Sequence, residues 1–286
     1  MWSDALVLWS LDVLWVLLLG LYLVDALVVC DPGEVVIVGW RPGAARVRRG
    51  LEVSLGRPRV IAWGGVLPPL DPPIVVGGGS LDADALVARH ARTMAVLRPV
   101  RVLAQSLFVL VFLLLPGAIL APSGWYTPTS LFVVIGLCWT AVAVSTVRAT
   151  GTVYAGDRER PSVAATLMSP ISAIRVADVV TRSSLKDWHP VVVARHLCTR
   201  ADYLALARTT CFAAAGPDVA TLTAFLRSVG DWDAVQAPPD VEVGCRSFCP
   251  ACHAQFREGA DACPDCRVPL RAHQPAGTVP AGSLAV

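Results

Sequence analysis

Charge is what this chain of 286 residues has least of: Asp, Glu, Lys and Arg together make up 16% of it, against roughly a quarter in ordinary soluble domains. Lysine is all but missing, with Lys186 the single example. The 24 basic and 22 acidic residues leave a net charge of +2, too balanced for a polybasic nucleic-acid surface. The phosphate-cradling pattern G-x-x-x-x-G-K-[ST] is absent, and the glycine run at 77–79 has no lysine near it and acidic residues just after it, which excludes a phosphate loop there. What the chain has in excess is apolar side chains, 55% of all residues, and that excludes disorder. Arginine, alanine, valine, glycine and proline are also abundant, a skew that fits a GC-rich bacterial coding bias.

The apolar residues are gathered into runs. Residues 5–24 (ALVLWSLDVLWVLLLGLYLV) form a run of 20, which as a helix rising about 1.5 Å per residue spans about 30 Å, the thickness of a hydrocarbon core. No positive charge precedes it and no small-residue cleavage site follows closely, so it reads as a retained helix rather than a signal peptide. Residues 102–121 and 130–147 are two further spans, and the uncharged connection PSGWYTPT between them carries Trp125 and Tyr126 where an aromatic belt would lie. Ten arginines from Arg41 to Arg101 separate the first and second spans, and Arg148, Arg158 and Arg160 follow the third. By the positive-inside rule the N-terminus faces out, and the central region and C-terminal half are cytoplasmic. The partner these spans imply is the lipid bilayer of an inner membrane. Asp12 falls inside the first span, where an ionisable residue costs about 2.5 to 3.5 kcal/mol on insertion scales. It serves either to hold the helices together, with Gln105, Ser106 or Thr140 as partner, or as a transport or catalytic group. A single carboxylate at membrane depth favours the first use.

Outside the spans the pattern shortens. Valine- and isoleucine-rich runs at 34–38, 45–53 and 59–66, punctuated by glycine and proline, predict a small set of strands. The glycines at 77–79 predict a hinge, and Ser80, Asp82 and Asp84 predict the start of a helix over 81–97. The end of that helix is basic, with Arg89, His90, Arg92 and Arg98. Helices are expected at 170–183, 190–197, 200–215 and 218–229, together a cytoplasmic bundle. His189, His196, Cys198 and Cys211 lie in it, and we read them as structural. His196 and Cys198 are two apart, so on a helix they point about 200° away from each other and make no dyad.

The most specific signal comes near the end, in CRSFCPACHAQFREGADACPDCRVPL. Four of the nine cysteines fall as Cys249-x-x-Cys252 and Cys263-x-x-Cys266 with ten residues between the pairs. Each Cys-Pro-x-Cys can present two thiolates to one ion, and two such knuckles complete a tetrahedral sulfur shell. Over residues 245–270 the segment resembles the short zinc ribbons at the ends of bacterial proteins, with His253 and Arg267 where a small residue or glycine often follows each knuckle. The resemblance implies zinc, and four thiolates also suit iron. A cytoplasmic location keeps the thiols reduced, which argues against disulfides, and a closed four-sulfur shell is structural rather than catalytic. Cys245 and His253 stand nearby as spare donors. From Cys245 to Arg271 there are four arginines against three acids, so the ribbon has no basic footprint for nucleic acid, and a protein is the partner to expect.

The fold class expected is therefore membrane α-helical with three transmembrane helices, a small cytoplasmic β-rich segment, a cytoplasmic helical region and a C-terminal zinc ribbon. The boundaries are 1–24, 25–101, 102–147 for the hairpin, 148–230, a linker at 231–244, the ribbon at 245–271 and a disordered tail at 272–286. The function expected is a non-enzymatic membrane anchor or scaffold whose ribbon binds a protein. The alternative is a membrane enzyme or transporter component using Asp12, with the ribbon as a staple.

Overall fold

The computed structural model describes residues 73–120, 128–154, 162–213, 218–257 and 260–273, together with shorter pieces of the first 63 residues. Most of the expected first span, including Asp12, lies outside the described residues, although Val13, Trp15 and Tyr22 within it are helical. Contacts divide the chain into two compact units, Met1–Thr199 and Arg200–Val286.

The first unit opens with six short strands. β1 (Leu27–Cys30), β4 (Leu51–Glu52) and β5 (Val60–Trp63) form one antiparallel sheet in the order β1-β5-β4, and β2 (Val35–Val38), β3 (Arg46–Arg48) and β6 (Pro73–Val76) form another in the order β3-β2-β6. The run expected as one strand over 45–53 is thus divided between two sheets. In the second sheet Ile37 pairs with Ile74 and Val36 with Val75. All four are buried, and since neighbouring strand residues point to opposite faces, both faces of this sheet are covered here.

A long helix follows. It starts at α1 (Ala83–Val109), passes through a π-helical turn (Leu110–Leu114) and ends as α2 (Leu115–Leu120). Asp82 caps it, its carboxylate accepting from the Ala85 N–H at 2.9 Å. The helix expected over 81–97 and the span expected from 102 are one continuous rod, with Pro99 inside it. Proline removes one backbone donor and disfavours helix in the residue before it. Here burial of Leu97 and Val100 on either side of it outweighs that cost. The partner helix is α3 (Pro128–Val153). Residues Ala83–Ala118 and Thr129–Val153 are long and apolar enough to cross a membrane. The two run antiparallel, in a register marked by the Cys138 thiol reaching the Leu103 carbonyl at 3.5 Å and by the Arg89 guanidinium 5.0 Å over the Tyr154 ring.

Four shorter helices complete this unit: α4 (Ala164–Leu167), α5 (Pro170–Ala173), α6 (Val176–Leu185) and α7 (Pro190–Leu197). Ala173, Ile174, Ala177 and Val180 share one apolar core with Leu97, Val100, Leu107 and Val142 of the long helices. Tyr154 donates its hydroxyl to the Val180 carbonyl at 3.0 Å. Tyr22 packs on Phe108 and Phe112, with the buried guanidinium of Arg175 4.6 Å above its ring.

Two of the three glycines at 77–79, expected as a hinge, sit at close approaches. A Cβ on Gly78 would strike the backbone carbonyl of Asp187, and one on Gly77 would lie 2.7 Å from Glu34. Next to them the Ser80 N–H donates to the Asp187 carbonyl at 3.0 Å and the His189 N–H to the Ser80 carbonyl at 2.8 Å. A second backbone clasp joins Ala45 to Leu197 and Thr199, at 3.0 and 3.2 Å. Glycine serves here for close approach between segments a hundred residues apart.

In the second unit, α8 (Arg200–Ala213), α9 (Asp218–Ser228) and α10 (Trp232–Gln236) precede the cysteine segment. Buried Asp231 accepts from the Tyr203 hydroxyl at 3.1 Å and pairs with Arg200 at 3.3 Å. The segment expected as a linker from 231 therefore begins as part of this helical layer. The helices expected as one bundle over 148–230 fall into two units, with α6 and α7 in the first and α8 and α9 in the second.

Candidate metal centre

Three two-residue strands frame the cysteines: β7 (Ser247–Phe248), β8 (Gln255–Phe256) and β9 (Arg271–Ala272), in the order β8-β7-β9. The knuckles have matching backbone geometry. In the first, the Cys249 N–H donates to the Ala254 carbonyl and the His253 N–H returns to the Cys249 carbonyl, both at 2.9 Å. In the second, the Cys263 N–H donates to Val268 at 2.9 Å and the Arg267 N–H returns to Cys263 at 2.8 Å. Closing each turn this way requires a left-handed residue after the second cysteine, and His253 (φ 64°) and Arg267 (φ 57°) supply it. This is why glycine suits that position. Here larger side chains hold it at a local cost.

The sulfurs of Cys249, Cys252, Cys263 and Cys266 all lie within 4.8 Å of one another. Cys252 and Cys263 are 3.7 Å apart, while a tetrahedron with bonds of about 2.3 Å to zinc separates its sulfurs by about 3.8 Å. Each knuckle contributes one buried and one half-buried cysteine. The protonation balance points the same way. Burial, then a hydrogen bond with Cys252, then repulsion from Cys252, Cys249 and Cys263 push the Cys266 thiol up to about 12. Burial also raises Cys252. Cys263 is drawn down: burial opposes this, but backbone N–H groups of Cys266 and Asp265 and the thiols of Cys252 and Cys249 outweigh it. Four thiolates this close are mutually destabilising without a cation, and a divalent ion removes that penalty as the thiols lose their protons. The donor set therefore fits a metal ion of zinc type.

The ribbon rests on α8. Phe212 packs against the cysteine cluster together with Phe256, Val268 and Leu270. The Arg271 guanidinium lies 4.9 Å over the Phe212 ring, and the Thr209 hydroxyl reaches the Ala251 carbonyl at 3.5 Å. On its outer side the segment before β7 is clipped to β8. The Gln255 amide donates to the Asp240 carbonyl at 2.7 Å and accepts from the Glu242 N–H at 3.0 Å. His273 bonds to Gln255 at 3.0 Å and through its backbone to Arg246 at 2.9 Å. The ribbon thus extends to residue 273, two beyond the expected end, and the remainder of the expected tail lies outside the described residues. Phe212 and Thr209 were not legible as ribbon supports. Their only sequence signal is their place three residues apart on one face of the helix expected over 200–215.

The spare donors stay out of the cluster. Cys245 is half-buried, and the His253 ring stands edge-on to Phe248 at 6.1 Å, with burial and then the nearby Arg208 charge lowering its proton affinity. The other singled-out residues have structural surroundings. His189 accepts from the Val191 N–H at 3.2 Å, capping α7, and His196 meets His90 at 3.1 Å, with burial holding His196 below the usual imidazole range. Cys198 is buried beside the Ala45 clasp. Burial pushes the Cys211 thiol up to about 11, which makes it a poor nucleophile. Asp12 lies outside the described residues. Of the partners considered for it, Ser106 and Thr140 spend their hydroxyls on their own helices, at Val102 and Gly136. The chain matches no known family model, no curated protein and no solved structure.

Proposed function

We propose that this protein is a multi-pass anchor of the inner membrane, with its N-terminus outside and its C-terminus in the cytoplasm, whose zinc-loaded ribbon docks a cytoplasmic protein. The observation that carries the reading is the closed four-sulfur cluster seated on α8, a shell that leaves no open position for a reacting water and so favours a structural ion. Zinc is the ion we assign, because a closed tetrahedral shell of four thiolates is its usual structural site. The arginines beside the two apolar helices support the orientation. The segment 200–286 holds seven arginines and nine acidic residues, which disfavours nucleic acid. Val241 and Val243, the latter 97% exposed, project from the segment clipped to the ribbon and offer an apolar contact of the kind a protein partner covers.

The test uses full-length protein. Metal analysis should find about one zinc per chain, lost in both Cys249→Ser and Cys266→Ser. A photo-crosslinker at position 243, used in cells, should give a defined adduct with the metal-loaded protein and lose it with Cys249→Ser. Metal-free wild type with its four cysteines paired as disulfides would sink both the zinc and the orientation. Zinc without any adduct at 243 would sink the docking role.

A further inference from the structure

Residues 161–174, PSVAATLMSPISAI, carry no charged side chain, although Arg160 precedes them and Arg175 follows. Within this stretch Val163, Leu167, Ile171 and Ile174 pack into the core shared with the long helices. Met168 turns the other way, with 79% of its surface exposed. Such an uncharged, outward-facing segment needs an explanation, and its level along the helices supplies one.

Trp139 fixes that level. Its indole N–H donates to the Leu167 carbonyl at 3.1 Å. Trp139 lies well inside the apolar stretch of α3, nine residues before Arg148, which is about 13 Å along a helix. On the partner helix the neighbouring Cys138 touches Leu103, just past Arg98 and Arg101. On one side of this level, exposed Leu113, Phe132, Val133 and Leu137 form an apolar surface. On the other side exposed Val144 and Val147 lead on to Arg148 along α3, while on the partner helix Arg101 and Arg98 follow directly. A tryptophan opposite the start of the charged surface is an arrangement a bilayer interface selects.

The backbone of the segment is prepared for that environment. Short helices expose polar ends, and hydrocarbon does not tolerate them unsatisfied. Ser169 accepts from the Ser172 N–H at 3.2 Å to cap α5, and the Leu167 carbonyl at the end of α4 takes the indole. We infer that residues 162–174 lie in the interface of the bilayer, with Met168 against lipid acyl chains, as a wedge packed beside the α3 span. The inference rests on the membrane reading above and adds to it a lipid-contacting element that is not a span.

A photoreactive benzoylphenylalanine placed singly at position 113, 168 or 182 of the full chain separates the two. The labelled proteins are reconstituted in phosphatidylethanolamine–phosphatidylglycerol nanodiscs, irradiated and analysed by mass. Lipid adducts are expected at 113 on the apolar helix and at 168, and none at 182, where exposed Arg182 of α6 lies on the charged side. Adducts at 113 with none at 168 would overturn the wedge and leave the membrane reading standing. No adducts at either position would remove that reading and the wedge with it.

Discussion

The helical hairpin and the ribbon answer the same problem of holding a fold with opposite means. In the first unit, wholly buried Leu97, Val100, Leu107, Val142 and Val180 belong to one continuous apolar core. In the ribbon the buried core is Cys249, Ala251 and Cys263, with a few half-buried neighbours. A module with three two-residue strands cannot offset its conformational entropy by apolar burial, so a metal or another staple must supply the difference. One part of the chain draws its stability from apolar packing; the other gathers four sulfurs that could hold an ion. The difference implies that each can fail alone.

The sharpest way to break that comparison is to remove the ion. Structural zinc contributes on the order of 10 kcal/mol to zinc-finger peptides, far more than the ribbon's packing can replace. Chelation, or Cys249→Ser, should abolish hydrogen-exchange protection across 245–273 and leave the helix Ala83–Ala118 as protected as before. Loss of protection in both would mean that the two regions are one cooperative body.

The reciprocal lesion is Gly78→Ala. It forces a methyl into the Asp187 backbone, and overpacking of this kind costs about 1 to 3 kcal/mol. The thermal midpoint of the first unit should fall while zinc content stays unchanged. Removing the indole donor with Trp139→Phe should cost about 1 kcal/mol, read in the same thermal assay; no loss would mean that the Leu167 carbonyl finds another donor. In the opposite direction, Arg267→Gly relieves a left-handed residue whose conformation costs about 1 to 2 kcal/mol, and the part of this not offset by glycine's greater freedom in the unfolded chain should be seen as slower zinc release to a competing chelator.

The smallest effect expected is one of pH. Burial lowers the proton affinity of His196 in the fold, so the unfolded chain binds the proton first as pH falls below about 6.5. The stability linked to burying a neutral His196 is therefore full above that pH and declines below it, toward the lower folded value. Replacing His196 by Gln should flatten the thermal midpoint of the first unit between neutral and mildly acidic pH. A profile as steep as that of the wild type would assign the dependence to other groups.

What the sequence made legible was what is local. Apolar runs announced the two long helices and cysteine spacing announced the cluster, because a span and a knuckle are each encoded within about twenty neighbouring residues. The long-range features were hidden. Gly78, in the run that read as a hinge, is fitted against Asp187, more than a hundred positions away, and no local pattern records that contact. Pro99, whose local effect is to break helices, lies inside one, because burial on both sides carries the helix through it. The helix expected over 170–183 is divided into α5 and α6, and the weak periodicity of the single-turn helices α4 and α5 gives no hint that Trp139 holds one of them.

The unbroken helix has a mechanical consequence. Its 36 residues, Ala83–Ala118, make a rod of about 54 Å, longer than the hydrocarbon core is thick. It begins three residues after Ser80, whose backbone is clasped to Asp187 and His189. In the membrane placement proposed above such a rod would act as a lever: a change of tilt in a thinner or thicker bilayer would reach the clasp as torque. Its compliant points are Pro99, which lacks a backbone bond, and the π-helical turn at Leu110–Leu114.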